Sequence, residues 1–94
     1  MARHTLKTWP AFFGAIIERR KTYEIRKNDR NFQVGDELLL QEWDPQTKAY
    51  SGRDIIVEVT YMTQGGQWGI PEGICVMGIR IQSWRLGEQE PVNA

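Results

Sequence analysis

The 94-residue sequence predicts an α+β domain, a closed or nearly closed pseudo-β-barrel of five or six short strands with one early helix. Three observations lead there. Period-two alternation of apolar and polar residues recurs in segments spread from residue 4 to residue 84. One segment alone, "PAFFGAIIERR", spaces its apolar side chains at three and four. So many strands on so short a chain expose fewer unpaired edges when the sheet curls on itself. A barrel of this size is filled by its own side chains, so a ligand must lie at the mouth or between helix and strands.

The elements follow in order. "HTLKTW" alternates and stops at Pro10, which suits a strand leading into a helix whose first turn tolerates proline's missing N–H. The helix is expected from Pro10 to Arg20, with Phe12, Phe13, Ile16 and Ile17 as its apolar stripe. "KTYEIR" returns to period two; taking apolar as inward places Tyr23 and Ile25 in the core, packed under Trp9 and the helix stripe, and Thr22, Glu24 and Arg26 on the polar face. After a Gly-Asp turn, Glu37 to Glu42 forms a strand apolar enough at Leu38, Leu39 and Leu40 to be covered on both faces. "DPQTKAYSG" is a hairpin loop, and "RDIIVEVTYM" a strand with Ile55, Val57, Val59 and Tyr61 as its apolar face. "TQGGQWGIPEG" is a Gly-rich loop expected to be mobile, and "ICVMGIRIQSW" a last strand. One domain is expected over residues 1–82, with a polar, mobile tail at 83–94.

Composition narrows the function classes. Cys75 is alone in an apolar run and behaves as a small buried hydrophobe, so no disulfide framework exists within the chain. Neither a signal-peptide core nor an apolar run of about 18 residues is present, which predicts a cytoplasmic protein with no membrane partner. His4 and Cys75 cannot make a zinc site by themselves, leaving only carboxylates for a hard cation such as magnesium. Glycine-rich phosphate loops are missing too, and no cofactor is expected.

Charge is the most specific signal. The window "RRKTYEIRKNDR" holds half of the chain's 12 basic residues and carries +4, while the rest carries −4. Arg20, Lys21, Arg26 and Lys27 surround Glu24 there, and the surplus cations suit phosphate or a nucleic-acid backbone. Overall neutrality argues against nonspecific binding of long duplexes and favours a single nucleotide or short single strand. The bland alternative is a solvated charged face with Lys and Arg complementing a helix C-terminus. Trp43, next to the window in sequence order of elements, and Trp68, in the Gly-rich loop, are the candidate stacking rings. The predicted ligand-binding set is therefore Arg20, Lys21, Thr22, Glu24, Arg26, Lys27, Trp43 and Trp68.

The motifs "LKTWP", "KTYEIRKNDR", "GDELLLQEWDP" and "VMGI" together resemble the ASCH/PUA-like superfamily, and within it the phage and bacterial family called domain of unknown function 3850. The resemblance runs from His4 to about Ile81. It implies a PUA-like pseudo-barrel with a cleft for RNA or a nucleotide-like molecule. More distantly, "RKTYEIR" is similar to a segment of the acetylcytidine amidohydrolases. Their catalytic lysine corresponds to Lys21, whereas Glu24 stands where they have a catalytic threonine. If the protein is an enzyme, Lys21 would polarise a carbonyl and Glu24 would take a proton from water. Binding of RNA or a nucleotide, hydrolysis of a modified nucleoside and docking to another phage or bacterial protein remain three separate readings of one window.

Overall fold

In the computed structural model, which describes residues 1–87, a five-stranded sheet curls into a half-barrel around one short helix. The elements are β1 (Arg3–Thr8), α1 (Pro10–Ile17), β2 (Tyr23–Lys27), β3 (Glu37–Asp44), β4 (Ala49–Gln64) and β5 (Ile74–Arg85). The strand order is β1-β3-β4-β5-β2; β1 runs parallel to β3 and the other pairs are antiparallel. Such a small barrel-like α+β fold agrees with the pattern of the sequence. β5 extends through residues 83–85, and the expected tail from residue 88 onward lies outside the described residues.

The core fills the concave side. Leu6, Leu38, Leu40, Ile55, Val57, Val59, Cys75, Met77 and Ile79 point inward from four strands, and Phe13 and Ile16 of α1 close one end. Helix α1 stops three residues short of the expected Arg20, because Arg19 takes a left-handed backbone (φ 64°). Arg19 N then donates to Ile16 O and Arg20 N to Ala15 O, a Schellman closure built without glycine.

Strand β4 is longer than its apolar run suggested and contains two irregularities in its pairing with β5. The one between Val59 and Tyr61 breaks the alternation, so Tyr61 turns to solvent where an inward ring was expected, and Met62 packs against the core. On β3, Leu38 and Leu40 are buried while Leu39 is only half-buried, so one face of that strand is covered fully and the other in part.

Edge strand β2 departs most from expectation. Its period of two is correct and its parity is reversed: Glu24 is 3% exposed, while Tyr23 and Ile25 are 44% and 55% exposed. The register explains this, since Glu24 pairs with Met77 and Arg26 with Cys75, both residues of the inner face. The concave surface is thus polar where β2 closes it, and the rule that apolar residues point inward fails there.

Candidate functional site

The two edge strands β1 and β2 face each other across the open side of the half-barrel. Because Ala2 O accepts from Glu37 N, the alternate carbonyls of Thr5 and Lys7 point away from β3 and have no strand partner among the described residues. Arginines fill the gap: Arg30 Nη1 donates to Thr5 O at 2.9 Å and Arg26 Nη2 to Lys7 O at 2.9 Å. Part of the basic window therefore braces the barrel where a sixth strand would otherwise pair.

Glu24 sits at the centre of this closure. Its Oε1 accepts from Lys21 Nζ at 2.6 Å, and its Oε2 accepts from Arg26 Nη2 at 2.8 Å and Nε at 3.0 Å. Lys21 Nζ also donates to Tyr23 O at 2.7 Å and lies 4.8 Å and 5.6 Å from the ring centroids of Tyr23 and Phe12. Buried Thr8 presents its Oγ1 to Arg26 Nη2 at 3.4 Å. A carboxylate with this little water access is tolerated because charge-assisted bonds satisfy it on both oxygens.

Above this ionic floor is a cleft of about 380 Å³ lined by Lys7, Thr8, Trp9, Phe12, Lys21, Tyr23, Glu24, Ile25 and Arg26. Trp9 and Phe12 lie nearly parallel, with centroids 6.0 Å apart and planes 10° apart, and each is about half exposed. Instead of packing on Tyr23 and Ile25 as a closed core, they face them across open space. Of the charged lining residues, Lys21 and Arg26 turn their charges onto Glu24, whereas the Lys7 ammonium rests over Trp43 at the cleft's outer margin.

A second buried carboxylate stands at the same helix-capped end. Thr8 is in register with Glu42, and the irregularity between Gln41 and Trp43 lets residues 51–53 of β4 wrap around Glu42. Arg53 donates to it through Nε (2.8 Å) and Nη2 (3.1 Å), and Ser51 Oγ donates at 2.7 Å. The Arg53 guanidinium, and then the Ser51 hydroxyl, hold the Glu42 carboxyl below its ordinary 4.5 despite its burial. Arg53 also covers the Phe13 ring at 5.0 Å, so this pair secures the plug.

Of the residues proposed from sequence, Lys21, Glu24 and Arg26 converge in the cleft, with Glu24 and Arg26 on the face opposite to the one expected. Arg20 bonds Glu18 at the surface. Thr22 lines a different depression with Ile16 and Ile79, and Lys27 another with Asn28 and Glu72. Trp43 lies outside the cleft but under Lys7, whose Nζ is 4.3 Å from its ring centroid. Trp68 is 88% exposed at the tip of a two-residue hairpin, where Trp68 and Gly69 both have positive φ (54° and 76°) and Gln67 and Ile70 form a bridge. The register pairs Lys27 with Ile74, just after this loop, so the loop adjoins the Lys27 end of β2, beyond the cleft-lining residues Tyr23 to Arg26.

Sequence reasoning missed Lys7, Thr8, Trp9, Phe12, Tyr23 and Ile25. The signal available was "LKTWP" itself, a threonine and tryptophan placed where β1 hands over to α1. Among the described residues, no three His, Cys, Asp or Glu side chains gather as a metal ion would need, and no helix is long and apolar enough to cross a membrane.

The chain is 34% identical over 65 residues to a protein of Escherichia phage P2 described as "Uncharacterized 12.9 kDa protein in GpA 3'region". That match covers 69% of this chain and 58% of the phage protein. Residues 3–79, including every residue lining the cleft, match the Domain of unknown function (DUF3850), and the chain belongs to that family.

Proposed function

We propose that the protein is a nucleotide- or RNA-binding domain of the ASCH/PUA-like kind, with the cleft between β1 and β2 as its site. The observation that supports this reading is the joining of half-exposed aromatic walls to a cationic floor in one cleft. A base has a π-face for Trp9, Phe12 or Tyr23, and its phosphate suits Lys21 and Arg26. Glu24 Oε1 accepts one hydrogen bond from Lys21, which leaves acceptor capacity for an amino group of the base.

The experiment is a fluorescence titration with the four ribonucleoside monophosphates. Quenching is expected in the native protein and in Trp68→Phe, and to be lost in Trp9→Phe. Quenching that disappears with Trp68 instead would remove the site from the cleft.

Hydrolysis of a modified nucleoside is the alternative, favoured by the 2.6 Å contact between Lys21 and Glu24 in the cleft. Against it, Arg26 holds the other oxygen of Glu24 with two hydrogen bonds, which suits recognition better than proton transfer. Chromatography of an acetylated nucleoside after incubation with the protein separates the two.

A further inference from the structure

The cleft does not end at Trp9. Lys7, on its lining, carries its side chain to the outer face of β1 and rests over Trp43 of the neighbouring β3. Trp43 is in turn the cross-strand partner of Tyr50, which is 52% exposed. From the cleft outward the surface therefore runs Trp9 and Phe12, then Lys7, then Trp43 and Tyr50, with a cation between two aromatic platforms.

We infer that the ligand is a short single strand of at least two nucleotides, whose first base occupies the cleft, whose following phosphate meets Lys7, and whose second base stacks at Trp43. This deepens the reading of the cleft given above and rests on it. Alternating rings and cations along a groove are what a single strand requires, because each base offers a π-face and each linkage one negative charge. Lys7 is exposed and Trp43 half-buried beneath it; a cation–π contact open to water on the lysine side is weak, so a base can take Lys7's place on the ring while the ammonium swings to the adjoining phosphate. The same pair in a protein without such a ligand would be only a surface contact, and affinity would then be indifferent to the number of nucleotides.

The test measures affinity for mono-, di-, tri- and tetranucleotides in ribo and deoxy series, using the native protein and the variants Trp43→Ala, Lys7→Gln and Trp9→Ala. The expected result is at least tenfold tighter binding of the dinucleotide than of the monophosphate. Trp43→Ala should erase that gain and leave the monophosphate unaffected, and Lys7→Gln should flatten the salt dependence by about one counterion. Trp9→Ala should weaken every length alike. Monophosphate binding that is unchanged by added nucleotides overturns this inference and leaves the cleft reading standing; failure of every ligand to bind overturns both. Preference between the ribo and deoxy series identifies which strand chemistry the track takes.

Discussion

Replacing Glu24 with Ala should destabilise the protein far more than changing its neighbour Ile25. Glu24's side chain is 4% exposed, and its partners Lys21 and Arg26 are 15% and 25% exposed. Removing one member of a buried pair costs about 3–5 kcal/mol, because the other charges stay desolvated without compensation. Here the stranded cations keep some water and their bonds to Tyr23 O and Lys7 O, so the low end, about 3 kcal/mol, applies. For a domain of this size that lowers Tm by on the order of 15 °C. Ile25→Thr keeps the β-branched shape on a 55% exposed edge position and should cost less than about 1 kcal/mol. Urea melts of both variants, with Arg26→Ala and the Glu24→Ala/Arg26→Ala double variant, complete the cycle. The double variant should cost less than the sum of the singles by about 1–3 kcal/mol. If Ile25→Thr proves the more damaging substitution, Glu24 faces solvent and the orientation of β2 described here is wrong.

Four further substitutions test other parts of the same structure. Phe13→Ala, at the fully buried helix plug, should cost about 3–5 kcal/mol in a urea melt and leave the m-value unchanged. Outside its own helix, a Cβ at Gly14 meets none of the described residues within 4 Å, so Gly14→Ala should stabilise by about 0.4–1 kcal/mol, whereas at Gly65 a Cβ would collide with the Pro71 carbonyl, so Gly65→Ala should lower Tm sharply. Burial pushes the Asp36 carboxyl up, but hydrogen bonds from His4, Ala2 and Gln33 outweigh it and leave the group below its ordinary 3.8. A folded value lower than the unfolded one stabilises above the unfolded value and is lost as pH falls through the folded one, so Asp36→Asn should flatten the stability profile below about pH 4.

The sequence made the order of elements legible because local signals set it: Pro10 opens the helix, and alternation marks the strands. Where a strand has covalent neighbours and a continuous apolar face, as in Leu38 and Leu40 of β3, its inward side is legible too. Strand β2 lacked that information. Tyr23 and Ile25 look like core residues, but β2 is an edge strand, and the face it turns inward is decided by pairing with Cys75 and Met77 about 50 residues later. The roles of Arg26 and Arg30 likewise depend on the unpaired carbonyls of β1, which appear only when the sheet order is known. Trp68 stood out for its glycine neighbours, yet those glycines serve a tight turn that displays the ring away from the cleft. The lysine and glutamate at the centre were visible from their charge context, while the aromatic wall was hidden because Trp9 and Phe12 read equally well as core.

The most direct measurement is an amide chemical-shift map of the protein titrated with a ribonucleotide. The cleft account predicts that perturbations concentrate on residues 7–12 and 21–26 and spare residues 65–73. Shifts centred on the Trp68 hairpin, or none at saturating nucleotide, would contradict it.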